Sequence, residues 1–313
     1  MIKVFIDGQE GTTGLQIQER LAGRSDVQLL EIPAAQRKDP ATRKAFLNRA
    51  DLCILCLPDD AARESVALLD NPAVRVIDAS TAHRTAPGWV YGLPELSPAQ
   101  RQAVAQARFV SNPGCHATGF VLAVRPLVTA GIIAPDTALA CHSITGYSGA
   151  GKKTIAAYAA EAGNPAITAR PYALGLKHKH LPEMQQHAGL RKAPIFTPII
   201  CNFYKGMVVS TLLSVDQMAR PGDARSVHAV LAQAYADSTF VKVMPCNAVE
   251  PLDGGAMLNP LALNDTNKLE LFVFGHETQV LIAARFDNLG KGASGAAVQN
   301  MNLMFGFAET AGL

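Results

Sequence analysis

The sequence predicts an α/β protein: a parallel-sheet domain followed by an α+β domain whose sheet is mixed. Three observations predict it. Over the first third, short apolar strands alternate with helical stretches. A glycine-spaced turn follows the first strand and opens a helix. From Asp136 onward the pattern changes to long β-rich stretches separated by fewer helices. The 313 residues, of which 49% are hydrophobic, are enough for two domains, each with its own core.

Taken in order, residues 3–6 read as a strand, 13–22 as a helix, 27–32 as a strand, 41–48 as a helix, 51–57 as a strand, 61–69 as a helix and 74–78 as a strand. Alternation at this spacing implies right-handed strand–helix–strand units and a parallel sheet. Beyond it, residues 137–144, 195–203, 208–215, 269–275 and 279–286 read as strands, and 153–162, 181–189 and 224–236 as helices. The last stretch, 292–311, carries Val298, Met301, Leu303, Met304 and Phe305 and reads as a helix returning to the first domain. The expected boundaries are 1–114 with 287–313, and 115–286.

Composition excludes some classes. The net charge is +2 and no basic run is present, so a nucleic-acid partner is not expected and small-molecule chemistry is favoured. No long apolar stretch suggests a membrane span, and the N-terminus enters a strand at once, leaving no signal peptide. Six scattered cysteines fit a reducing cytoplasm better than a disulfide scaffold. Cys53 and Cys56 form a Cys-x-x-Cys, but they lie in the apolar run Leu52-Cys53-Ile54-Leu55-Cys56-Leu57. They read as buried thiols of a parallel strand, not as a redox or zinc pair.

The turn after the first strand is Gly8-Gln9-Glu10-Gly11-Thr12-Thr13-Gly14. Glycines there let backbone approach a pyrophosphate, and the N–H groups of the helix start bind it. This predicts a Rossmann-type, dinucleotide-binding first domain. An acidic residue about 20 positions on would take a ribose hydroxyl, and Glu31 has that spacing. The second strand is expected to run through it to Ile32, however, and the loop beyond carries Arg37 and Lys38, suited to a 2′-phosphate. The reading is NADP.

A nucleophile stands at Ser111-Asn112-Pro113-Gly114-Cys115-His116-Ala117-Thr118-Gly119. Cys115 follows a Pro-Gly turn at the start of an apolar helix, where the helix dipole and unpaired N–H groups favour a thiolate and a neighbouring oxyanion. Its candidate partners lie in Tyr172-Ala173-Leu174-Gly175-Leu176-Lys177-His178-Lys179-His180-Leu181-Pro182-Glu183. One of His178 and His180 is expected to serve as acid/base, with Glu183 orienting it or binding substrate. No metal is expected at His178, His180 and Glu183, because a dinucleotide fold with a cysteine already supplies a mechanism. In Asp78-Ala79-Ser80-Thr81-Ala82-His83-Arg84, at the carboxyl end of a strand, Ser80 is a cofactor contact and Arg84 an anion site. The loop Gly146-Tyr147-Ser148-Gly149-Ala150-Gly151-Lys152 is not a triphosphate loop and reads as a substrate or nicotinamide loop. His83, His116, His142 and His276 show no partner pattern and read as structural.

These motifs, with the terminal Asp287-Asn288-Leu289-Gly290-Lys291-Gly292-Ala293-Ser294-Gly295, resemble the shorter form of the N-acetyl-gamma-glutamyl-phosphate reductases of arginine biosynthesis over essentially the whole chain. The nucleophile turn is shared with aspartate-semialdehyde dehydrogenases. The resemblance implies a catalytic and dimerisation second domain, and NADPH-dependent reduction of an acyl phosphate to a semialdehyde through a thioester on Cys115. It implies His180, with His178 second, as acid/base, and Tyr172, Ser148 and Glu183 lining the substrate site. The phosphate would lie near Asn112 and Arg84, Asn288 would contact the cofactor and the tail from Lys291 would close over it. A homodimer or homotetramer through the second domain's sheet is implied. The alternatives are a reductase of aspartyl or aminoadipyl phosphate, and a cysteine acyltransferase or hydrolase that uses no dinucleotide.

Overall fold

The computed structural model describes residues 1–37, 39–161, 164 and 168–313. Lys38 lies outside the described residues, as does Ala162 at the end of an expected helix. The chain divides into two compact units, Met1–Gly114 with Ala293–Leu313, and Cys115–Gly292.

The first unit begins with β1 (Ile2–Asp7), α1 (Thr12–Leu21), β2 (Val27–Leu30), α2 (Pro40–Arg49), β3 (Leu52–Leu55), α3 (Asp59–Ala67) and β4 (Arg75–Asp78). Then come β5 (Val90–Tyr91), α4 (Pro98–Gln106) and β6 (Phe109–Ser111). The six strands pair in the order β2-β1-β3-β4-β6-β5, all parallel. β3 is buried at every residue, which is why Leu52-Cys53-Ile54-Leu55 reads as an unbroken apolar run. β2 stops at Leu30, two residues short of the expected end, so exposed Glu31 stands just past the strand.

The second unit opens with α5 (Cys115–Thr129), followed by β7 (Ala140–Gly146), α6 (Lys152–Ala160), β8 (Arg170–Pro171), α7 (Leu181–Ala188), β9 (Ile195–Cys201) and β10 (Met207–Ser214). It continues with α8 (Ala224–Ala234), β11 (Val241–Val243), β12 (Leu269–Gly275) and β13 (Gln279–Phe286). The seven strands pair in the order β11-β12-β13-β10-β7-β9-β8. The sheet is mixed: β7–β9 and β11–β12 are parallel and the other pairs antiparallel. α5 runs buried from His116 to Val124. Its Gly119 lies against Val209 of β10 and Phe286 of β13, so the helix sits directly on the sheet.

The chain then returns to the first unit as α9 (Gly295–Met304), which packs Val298, Met301 and Met304 against Ile17 of α1 and Val104 of α4. The helix is shorter than the expected 292–311. The amide of buried Asn302 donates to the carbonyls of Glu309 and Ala311, which folds the last residues back instead of extending them. Among the described residues, no helix is long and apolar enough to cross a membrane.

Candidate active site

In the first unit the chemistry-bearing backbone is the turn between β1 and α1. Gly8 takes a φ of 87°, and a β-carbon there would stand 2.4 Å from the Cys56 carbonyl oxygen, so no side chain fits. Gly11 caps α1 without a side-chain acceptor, and Thr12 and Thr13 form the first turn with Gly14 buried behind them. That leaves first-turn N–H groups to bind an anion, and the turn fits the pyrophosphate of a nicotinamide dinucleotide. Arg37, on the short turn after β2, makes an ion pair with Glu10 inside this turn. The expected selector of the ribose phosphate is therefore beside the glycine turn. Arg43 of α2 is used internally: with the Ser65 hydroxyl, it donates to buried Asp7 at the end of β1.

The loops after β4 and β6 are held from within. Ser80 is buried; its hydroxyl donates to Asp78 at 2.7 Å and accepts from the Ala82 N–H. His83 Nδ1 contacts the same carboxylate at 2.6 Å, and its ring stacks on Trp89. Arg84, also buried, donates to the carbonyls of Asn112 and Ala79. The Asn112 amide donates to Ala293 and its oxygen accepts from Asn300. Each of these side chains touches backbone or another side chain of the first unit, and together they set the path of the chain into the Pro113-Gly114 turn.

In the second unit, Cys115 is the first residue of α5 and is half-buried. A helix start favours negative charge. The thiols of the apolar run that begins with β3 behave differently: burial pushes Cys53 well up and Cys56 up to about 12, with nearby carboxylates adding to the effect. Burial likewise raises Cys141. These remain thiols, none of them the first residue of a helix, whereas Cys115 stands half-buried at a helix start.

Beside it, on the same helix turn, His116 is 2% exposed and bonds both ring nitrogens, Nδ1 to Ser143 Oγ at 2.6 Å and Nε2 to Tyr172 OH at 2.9 Å. Its ring centroid lies 5.3 Å from that of His178 and 5.4 Å from that of His180. His178 and His180 meet edge to face at 4.7 Å, and the His180 N–H donates to His178 Nδ1. His180 precedes α7, whose first turn holds Pro182 and Glu183; Glu183 Oε1 is 3.9 Å from His180 Nε2 and both are buried. Phe196 of β9 packs its ring on His116 and His178. Tyr172 is tied to β9 by its N–H to the Pro198 carbonyl. Burial, then the charge at Cys115, raises the Tyr172 phenol, so it keeps its proton. Burial, then the charges of His178 and Lys179, lowers His116 to about 3, so it is neutral.

The structure thus brings His178, His180, Glu183 and Tyr172 into one cluster with His116. His116 shows no partner pattern in the sequence, because its partners Ser143 and Tyr172 are 27 and 56 residues away. Ser148 and Asn288 bond each other at 3.0 Å, and Asn288 Oδ1 accepts from Gly206; both residues are 1% exposed. Lys291 is fully buried, with Nζ 5.8 Å from the centre of the Phe240 ring. Gly292 lies against Cys115. Among the described residues, no three His, Cys, Asp or Glu side chains are placed to hold a metal ion.

Comparison with known proteins places both parts of the chain in one family. Residues 8–104 match the model of a semialdehyde dehydrogenase NAD binding domain, and residues 115–288 that of a semialdehyde dehydrogenase dimerisation domain. Aspartate semialdehyde dehydrogenase II from Vibrio cholerae shares the fold, with a TM-score of 0.72 at 15% identity over 97% of this chain and 98% of that one. The enzyme from Francisella tularensis also gives 0.72 at 15% identity, over 96% and 99% of the two chains. Curated relatives are much nearer in sequence. N-acetyl-gamma-glutamyl-phosphate reductase 2 of a Nostoc species is 47% identical over 99% of both chains. The N-acetyl-gamma-glutamyl-phosphate reductase of Burkholderia cenocepacia is 49% identical over 98% of both. The two-domain fold, the nicotinamide-dinucleotide domain and this identity along the whole length lead to one conclusion: the chain belongs to the N-acetyl-gamma-glutamyl-phosphate reductases, oxidoreductases of the semialdehyde dehydrogenase family.

Proposed function

We propose that the chain reduces N-acetyl-gamma-glutamyl phosphate to N-acetylglutamate semialdehyde and phosphate, using NADPH and a thioester on Cys115. The observation that carries the reading is Cys115 at the head of α5, followed directly in the chain by His116, which joins a buried cluster of imidazoles and a phenol. Relatives of the same length are named for this reduction.

The residues divide the work as follows. The Cys115 thiolate attacks the acyl carbon, helix-start N–H groups stabilise the oxyanion, and phosphate leaves to give the thioester. NADPH, when bound, supplies the hydride. The Gly8–Gly14 turn holds its pyrophosphate and Arg37 its 2′-phosphate; exposed Glu31 past β2 is the feature that would favour NAD instead. Hydride addition to the thioester leaves a thiohemiacetal oxyanion; it takes a proton from the His180 imidazolium, and His180 takes that proton back as the carbon–sulfur bond breaks, releasing the aldehyde and the thiolate. Glu183 stabilises the imidazolium so formed. His178 accepts the His180 N–H and fixes the approach to α7. Tyr172 contacts substrate. Ser80, Arg84, Asn112 and Asn288 act through the backbone they hold, and Ser148 through its bond to Asn288.

Two copies pair through the sheet of the second unit, on which Ile195 and Leu212 are exposed, giving a homodimer or a dimer of dimers. The deciding assay is phosphate-dependent reduction of NADP with N-acetylglutamate semialdehyde, run beside aspartate semialdehyde. The expected result is a rate at least about 100-fold higher with the N-acetylated substrate, a lower bound to the discrimination that buried polar recognition delivers. Equal rates contradict the assignment.

A further inference from the structure

We propose that His116 is a positioning residue: held by Ser143, its imidazole turns the hydroxyl proton of Tyr172 toward the group bound at Cys115. The inference rests on the reading of Cys115 as the acyl carrier.

Ser143 on β7, His116 on α5 and Tyr172 after β8 form one chain of hydrogen bonds, 2.6 Å and 2.9 Å long. The ring cannot turn over without losing both bonds, since a flip would put carbon where Nδ1 now meets Ser143. His178, His180 and Phe196 also confine its faces and edges. A neutral imidazole carries one N–H, so the chain has two arrangements. In one, Ser143 donates to Nδ1 and the Nε2–H donates to the phenol oxygen, which leaves the Tyr172 proton for another acceptor. In the other, the Tyr172 proton is spent on Nε2. Negative charge on the Cys115 sulfur or on an acyl oxygen bound there selects the first, because every bond dipole of the chain then points its positive end at that charge. Tyr172 feels the Cys115 charge, and His116 stays neutral at working pH. No proton crosses the chain; a fixed donor is aimed before the oxyanion forms, which is how such donors act.

The test is a double-mutant cycle in steady state. Tyr172→Phe is expected to lower kcat by roughly 100-fold, the loss typical of one oxyanion donor. His116→Leu lowers kcat by about tenfold with KM within about twofold, and His116→Gln, which offers one donor and one acceptor, restores most of it. In the Tyr172→Phe background His116→Leu costs less than about twofold more, since its effect runs through the missing hydroxyl. Ser143→Ala, the gentler change, shows the same non-additivity and decides the matter if the leucine variant does not fold. Losses that multiply in the double variants overturn the proposal. Absence of any Cys115-dependent reduction by the unaltered protein is a distinct result; it overturns the acyl-carrier reading and the proposal with it.

Discussion

Gly292 packs against Cys115 so closely that a β-carbon on the glycine would stand 2.8 Å from the Cβ of the cysteine and 3.3 Å from its Cα. Neither atom is the end of a flexible side chain, so the backbone of one strand of chain or the other must move. The N–H of Gly292 also donates to the Asp287 carbonyl, which fixes its own segment after β13. Gly292→Ala should therefore displace the nucleophile. A shift approaching 1 Å costs on the order of 100-fold in kcat/KM. Steady-state kinetics with circular dichroism checks this; full activity in a folded variant would show that the contact tolerates expansion.

Arg37 sits beside the glycine turn through its ion pair with Glu10. If it binds the 2′-phosphate, Arg37→Ala weakens NADPH by roughly tenfold or more, as expected from loss of a charge-assisted hydrogen bond, while NADH changes little. Fluorescence titration with both nucleotides gives the answer. Equal weakening of the two would assign Arg37 to the turn itself, and tighter NADH than NADPH in the unaltered protein would give the ribose to Glu31.

His116 predicts a pH dependence of stability. Its imidazole titrates at about 3 in the folded chain against an ordinary 6.5. Between these values the unfolded chain binds a proton that the folded chain does not. Stability from this group is thus complete above about pH 6.5 and declines as pH falls toward 3, by up to about 1.4 kcal/mol per unit. Urea unfolding at several pH values should show His116→Gln with a flatter slope below pH 6.5. An unchanged slope would mean that the ring accepts a proton where it stands.

Asn288 joins Ser148 to the Gly206 N–H in a buried site. Asn288→Ala leaves both groups unpaired and should cost about 1–3 kcal/mol of stability. The dinucleotide affinity should be unaffected, because the amide is occupied within the second unit. Thermal unfolding and nucleotide titration separate the effects, and an affinity loss without a stability loss would make Asn288 a cofactor ligand.

Local pattern carried much of this protein. β3 was readable because a strand buried on both faces is a continuous apolar run, and α1 because a glycine turn opens it. The place of Cys115 at a helix start was readable because a Pro-Gly turn before an apolar helix is a local signal. The two-residue strands β5 and β8 were not, since a segment that short has no period. The early end of β2 and the fold-back after Met304 depend on partners far along the chain. The same limit hid His116. Its neighbours in sequence are apolar helix residues, and only the meeting of α5 with β7 and the Tyr172 loop reveals a histidine bonded on both sides. The bonds that Arg84 and Asn112 make to backbone carbonyls were equally invisible, because a charged or amide side chain looks the same in sequence whether or not it meets a carbonyl.

The central claim is covalent chemistry at Cys115, and intact-mass measurement tests it most directly. On mixing with N-acetyl-gamma-glutamyl phosphate in the absence of nucleotide, the protein should gain one N-acetylglutamyl group, mapped to the peptide containing Cys115, and Cys115→Ala should gain none and reduce no substrate. Turnover by Cys115→Ala, or an adduct on another residue, would contradict the account.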